Sequence, residues 1–141
     1  MTAFSWKENY SVHNEPMDSQ HRRIFDYMSA IHQAMENNLD EDELDERLDR
    51  FDIYCKMHFF EEERLMEEIG FPSLIEHKKQ HDQFLLDLDR FRASRGQKPS
   101  GEASAAFTVI KDRFVGHILN LDLLYSKFLE KKAASGDGKG N

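Results

Sequence analysis

The stretch His58-Phe59-Phe60-Glu61-Glu62, the break Ile69-Gly70-Phe71-Pro72 and the run His77-Lys78-Lys79-Gln80-His81 decide the reading of this chain. Residues four apart lie on one face of an α-helix, so His58 shares a face with Glu62 and His77 with His81. Facing each other, the two pairs supply three imidazoles and a carboxylate, the beginning of a metal site. In a chain with seven histidines neither pair is telling alone. Their placement is what singles them out, because all four occupy positions where apolar side chains belong. Buried polar groups need partners, and for clustered His and Glu the usual partner is a metal ion.

The helix that carries the first pair opens at Asp40, with Glu43 three residues on as in a capping box. Its apolar row is Leu44, Leu48, Phe51, Cys55, His58, Glu62, Leu65 and Ile69, stopped by Gly70. Pro72 suits the first turn of the next helix. That helix continues the spacing through Leu74, His77, His81, Phe84, Leu88 and Phe91 to Arg95, and a loop from Gly96 to Gly101, with Pro99, follows.

Upstream, Asp18 reads as an N-cap for a helix with His21, Ile24, Met28, Ile31 and Met35 on its buried face. Residues 1–17 have no sustained period and read as an arm packed through Trp6 and Tyr10. Downstream, Ser100 caps a fourth helix carrying Phe107, Ile110, Phe114, His117, Leu121, Leu124 and Phe128. The chain therefore predicts an all-α, antiparallel up-down-up-down four-helix bundle over 1–132, with a disordered tail at 133–141. With direction reversing at each turn, His21, His58, Glu62, His77, His81, His117 and Asp122 fall toward one end of the bundle. His117 and Asp122 are five residues apart, about 140° around an α-helix, so they converge only by flanking the buried row from either side.

Composition bounds the function. A chain of 141 residues fits one domain with a core of its own. Eleven Phe and six Met against three Pro and seven Gly suit a helical domain with an aromatic core. The formal net charge of -8 disfavours nucleic acid as a partner. One cysteine excludes an internal disulfide, and neither a signal peptide nor a membrane-spanning run is evident, so a cytoplasmic protein is expected. A monomer is expected too, since closing the bundle leaves no long apolar stripe.

The motifs Asp18-Ser19-Gln20-His21, His58-Phe59-Phe60-Glu61-Glu62, His77-x3-His81 and His117-Ile118-x3-Asp122, in this order, resemble the hemerythrins, specifically the bacterial hemerythrins. The resemblance spans Trp6 to Glu130. It implies a non-haem di-iron site with His77, His81 and His117 on one iron and His21 and His58 on the other. Glu62 and Asp122 would bridge both, together with a solvent-derived oxygen. It further implies reversible O2 binding at the open position of the second iron, in a pocket lined by Ile24, Phe59, Phe114 and Ile118.

Imidazole-rich donor sets suit iron and its neighbours. Five imidazoles and two carboxylates leave a ferric pair less stabilised than carboxylate-rich oxidase sites do, which favours O2 release over irreversible oxidation. The first reading is thus a dioxygen carrier, store or sensor that turns over no substrate. A di-iron oxidase, peroxidase or nitric-oxide-handling protein is the alternative, and an iron-holding or regulatory module is a third. The expected pocket contains no general acid to help cleave bound oxygen.

Four other residues are read as structural or peripheral. His13 stands where the family usually has Gly and reads as a loop residue. His32 lies about three turns from His21 and reads as a core-edge histidine. Cys55 reads as core packing. Arg113 stands where the family commonly has a Trp that seals the O2 pocket. At the edge of the row, it is expected to send its guanidinium out to water or to an acidic residue on an adjoining helix, to seal less well, to hasten autoxidation and to ease the entry of small anions such as azide.

Overall fold

The computed structural model describes residues 5–37, 40–94 and 100–134. Helix α1 spans Glu15–Glu36, α2 Glu41–Glu68 and α3 Leu74–Ser94. The fourth rod is continuous, made of α4 (Ser100–His117), one π-helical turn (Ile118–Asp122) and α5 (Leu123–Ala134). Helix α1 packs on α2, α2 on α3, α3 on α4, and α4 closes back onto α1. This is the all-α four-helix bundle that the apolar rows require.

Several helix ends differ from their sequence reading. Asn14, not Asp18, caps α1, its side chain accepting from the Met17 N–H at 3.1 Å, and Pro16 sits in the first turn. Asp18 is instead buried inside that turn, where it accepts from the Val12 N–H at 2.8 Å and the Ser11 hydroxyl at 2.6 Å. Those two bonds pin the arm to the bundle end that carries His21. Asp40 occupies the N-cap position of α2 without a side-chain capping bond.

Gly70 does end α2, at φ 70°, with the Gly70 N–H donating to Glu67 O and the Phe71 N–H to Met66 O. This is a Schellman closure, which favours glycine for its left-handed backbone. Pro72 lies in the turn before α3, which starts at Leu74. The expected loop at 96–99 and tail beyond Ala134 lie outside the described residues, while Ser100, Gly101, Ala133 and Ala134 are helical.

The segment before α1 packs on the bundle, and α1 takes in residues 15–17, which the sequence reading gave to the arm. Tyr10 stacks on Phe25 with ring centroids 5.3 Å apart, Trp6 meets Tyr10 edge-on, and the Ser126 hydroxyl donates to Val12 O at 2.6 Å. His13 is exposed and takes φ 57°, a left-handed conformation that explains why glycine suits the position.

Away from the site the core is aromatic, with Phe107 fully buried between Phe51 and Phe91. Truncating such a phenylalanine costs about 3–5 kcal/mol. Polar ties hold neighbouring helices in place: Arg47 to Ala30 O, Arg92 to Asp49, Arg113 to Asp87, and the Ser104 hydroxyl to Glu36.

In the last rod the buried face departs from the sequence reading. Leu121 is only half-buried and Leu124 is exposed, whereas Ile118, Asp122, Tyr125 and Ser126 are buried. The π turn accommodates one more residue than an α turn and moves the inward row across by one position.

Candidate metal centre

Each helix contributes to one cluster at one end of the bundle: His21 from α1, His58 and Glu62 from α2, His77 and His81 from α3, and His117 and Asp122 from either end of the π turn. His117 Nε2 lies 3.0 Å from His77 Nε2 and 3.1 Å from His81 Nε2. The π turn brings His117 Nε2 within 3.0 Å of Asp122 Oδ1, so the two residues meet directly rather than across a row of apolar side chains.

The carboxylates divide their oxygens. Glu62 Oε1 faces His81 at 2.9 Å and His77 at 3.6 Å, while Glu62 Oε2 faces His21 at 3.5 Å and His58 at 3.6 Å. Asp122 Oδ1 faces His77 at 2.8 Å and His117 at 3.0 Å, while Oδ2 faces His21 at 3.2 Å. Two groups result: His77, His81, His117, Glu62 and Asp122 in one, and His21, His58 and Glu62 in the other. Both carboxylates belong between the groups, although Asp122 reaches the second only through His21.

These contacts fit metal ions better than mutual hydrogen bonds. His21 Nε2, His58 Nε2, Glu62 Oε1 and both Asp122 oxygens are buried and have no hydrogen-bond partner, despite close neighbours. They are aimed at common points, not at one another. Adjacent donors around an ion with bonds of about 2.1 Å lie ~3 Å apart, which matches the closest spacings here. Cys55 belongs to neither group, and burial and Asp52 push its thiol well above the ordinary range.

The surroundings fix which nitrogen faces inward. His58 Nδ1–H donates to Gln20 Oε1 at 2.7 Å, and His81 Nδ1–H donates to Glu63 Oε2 at 2.7 Å. Each bond leaves the Nε2 lone pair free for a cation. Burial holds His58 down at about 3, hence neutral, despite the nearby Glu62 charge.

Burial also opposes charge on His21 and His77, but the Asp122 and Glu62 carboxylates outweigh it and raise both to about 9. Glu62 stays ionised: burial pushes it up, and the close imidazoles of His21, His77 and His81 bring it well below the ordinary carboxylate range. Burial and Glu62 push Asp122 upward as well, and His117 and His21 more than offset them.

Ile24, Phe59, Phe114 and Ile118 are all buried near these groups. Phe114 lies edge-on to His21 at 5.9 Å, and Phe59 stacks on His81 at 4.0 Å. One expectation needs correction: a titratable phenol is present. The Tyr125 hydroxyl donates to Glu62 Oε2 at 2.7 Å, on the oxygen facing His21 and His58. Burial and the Glu62 and Asp122 charges push its pKa well above the ordinary value, so the phenol keeps its proton.

Tyr125, Gln20 and Glu63 were missed as supporting residues. Spacing offered one signal, since Tyr125 follows Asp122 by a helical turn and Gln20 and Glu63 adjoin His21 and Glu62.

Arg113 pairs with Asp87 of α3, one of the two outcomes its edge position allowed. The pair lines a cleft of about 650 Å³ between the third and fourth rods together with Gln80, Gln83, Phe84, Asn120 and His117. Arg113 therefore faces the group containing His77, His81 and His117, and Phe114 covers the His21 side. The His117 side chain is 11% exposed, more than any of the other six. His32 lies 3.7 Å from Glu36, away from the cluster.

The sequence profile of the Hemerythrin HHE cation binding domain matches residues 12–129. Among similar proteins are a hemerythrin-like protein of Naegleria gruberi, 31% identical over 91% of this chain and 95% of its own, and a bacteriohemerythrin of Stenotrophomonas maltophilia, 28% identical over 89% and 81%. A myohemerythrin of Riftia pachyptila is 29% identical over 88% of this chain and 92% of its own.

Proposed function

The chain belongs to the hemerythrin family, and from that premise we propose that it binds dioxygen reversibly at a pair of non-haem iron ions. The observation that carries this reading is the division of the Glu62 and Asp122 oxygens between two groups of imidazoles. Such a division suits carboxylates that bridge two cations. His77, His81 and His117 would hold one ion, His21 and His58 the other. The second group has one imidazole fewer, which suits it to admit a ligand. Two ferrous ions held by these residues would supply the two electrons that reversible dioxygen binding needs.

The protein's own side chains do the rest. Gln20 and Glu63 orient imidazoles through Nδ1, and Tyr125 holds Glu62 Oε2 while keeping its proton. Ile24, Phe59, Phe114 and Ile118 exclude water from the His21 and His58 side. The competing reading, a di-iron oxidase or peroxidase, is favoured only by the presence of Tyr125. That phenol is committed to Glu62 and is too weak an acid in place to deliver a proton readily. Azide and similar small anions are proposed as rival ligands of the same position.

The reading is tested with His58→Ala and His77→Ala. Each removes one donor and leaves the buried carboxylates poorly compensated, so stable loading with two ions is lost while much of the helical circular dichroism remains. A variant that still held two irons per chain, with an unchanged absorption spectrum, would sink the assignment.

A further inference from the structure

The solvent face of α2 carries a row that the closed bundle leaves uncovered: Glu46, Arg50, Ile53, Met57, Phe60 and Arg64, all exposed. Its apolar centre is conspicuous, with Ile53 67% and Phe60 60% exposed. Closing the bundle leaves three apolar residues of α2, Ile53, Met57 and Phe60, exposed in one short row. Spacing along the row alternates between four and three residues. That is the narrow period of a helix seam that packs against a second helix, and it differs from the broader face α2 turns toward its own core.

We propose that the row is the contact of a two-fold dimer in which α2 pairs antiparallel with α2 of a second copy. The argument is self-complementarity. Two helices crossing antiparallel about an axis beside position 55 place residues opposite each other when their numbers sum to 110. Under that operation Glu46 meets Arg64 of the second copy, Arg50 meets Phe60, and Ile53 meets Met57. Each position finds a match of suitable chemistry: acid with base, cation with aromatic ring, apolar with apolar. No member of the row is left over, and two-fold symmetry repeats every pair.

Within one chain Arg50 pairs with Glu46 and Arg64 with Glu68, both on the surface and one turn apart. Such exposed pairs are weak enough to exchange for partners across the axis. A contact made by one helix pair is smaller than the ~1,200 Å² of a standard interface, so the dimer is transient, with a dissociation constant of about 0.01–1 mM. Metal ligands and pocket residues point to the other side of α2, so association leaves the site intact.

Sedimentation velocity and equilibrium on the full-length, metal-loaded chain test this across a concentration series. The wild type shifts reversibly from monomer to dimer. Phe60→Glu weakens association at least ~tenfold with metal content and helicity unchanged. Glu46→Arg alone sets like charges against each other twice and weakens association ~fivefold, as does Arg64→Glu. The double variant Glu46→Arg/Arg64→Glu restores opposite charges across the axis and recovers affinity. Three results overturn the proposal: a wild type still monomeric at ~1 mM, whose row then serves a different partner; no effect of Phe60→Glu; or a double swap no better than either single.

Discussion

His117 Nε2 and Asp122 Oδ1 stand 3.0 Å apart across a single π-helical turn. A regular α-helix would leave residues five apart diverging by about 140°. The wider turn removes much of that divergence and aims both side chains at the same group. Deleting the exposed Asn120 should convert the π turn to an α turn with His117 four residues before the aspartate, still on one face, and so retain binding. Inserting an alanine after Asn120 makes the separation six and should abolish binding at the group that needs both residues, with most of the helical circular dichroism kept. The insertion also turns buried Tyr125 and Ser126 off the core face, so urea midpoints should fall. Metal analysis after anaerobic loading reads the result. Two ions per insertion-variant chain, with wild-type affinity, would mean the turn does not build the site.

Protonation supplies a second prediction. In the metal-free chain His21 and His77 titrate at about 9, against 6.5 for a free imidazole. The folded state binds these protons more tightly than the unfolded state. Their stabilisation is therefore complete below pH 6.5 and disappears as pH rises through about 9. Between those limits the melting temperature of the metal-free chain should fall with pH. The loaded chain, whose imidazoles have exchanged protons for metal, should not show that loss. Adding ferrous iron or zinc at pH 7 in weak buffer should release protons, measurable with a pH indicator. Loading without proton release would contradict the assignment of His21 and His77 as protonated in the metal-free form.

Tyr125 bears on the choice between carrier and oxidase. Tyr125→Phe removes a buried donor from the Glu62 carboxylate. It should lower the stability of the metal-free chain by about 1.5–3 kcal/mol in urea unfolding, since bonds to charged groups lie in that range. Loss of O2 from the loaded variant should remain reversible. A variant that binds oxygen only irreversibly, or a wild-type phenol titrating near neutrality by ultraviolet difference spectra, would return the oxidase reading to first place.

Sealing of the pocket separates Phe114 from Arg113. Phe114 is buried beside His21, and Arg113 is exposed over the cleft that ends at His117. Phe114→Ala should speed autoxidation of the oxygenated form at least ~tenfold by admitting water. Against the expectation from sequence that Arg113 hastens autoxidation, Arg113→Ala or Arg113→Trp should change it less than ~twofold, because Arg113 lies over the cleft lined by His117 and not on the side where the ligand is proposed to bind. If Arg113→Trp instead prolonged the oxygenated form severalfold, anions entering by the cleft would control its decay.

The bundle was legible because buried rows in all four helices repeat at helical spacing, and six polar residues interrupt those rows at one end. Helix termini were less legible. Asp18 looks like a cap in sequence, yet Asn14 is better placed by four residues and Asp18 serves the arm instead. The π turn left no periodicity signal strong enough to override the α pattern, so Leu121 and Leu124 were read as core, although the one is only half-buried and the other exposed. The hydrogen bond from Tyr125 to Glu62 joins residues 63 positions apart and depends on the packing of two helices. Local spacing puts Tyr125 one turn from Asp122 but does not identify Glu62 as its partner.

The central claim is reversible oxygen binding by two irons at this site. The direct measurement is the absorption spectrum of the chain reconstituted anaerobically with ferrous iron, taken before oxygen, after oxygen, and again after oxygen is swept out with argon. The account predicts two irons per chain, one for each group of ligands, and a visible charge-transfer band that appears with oxygen and vanishes on its removal through repeated cycles. A chain that binds fewer than two irons, or a band that persists once oxygen is gone, would contradict it.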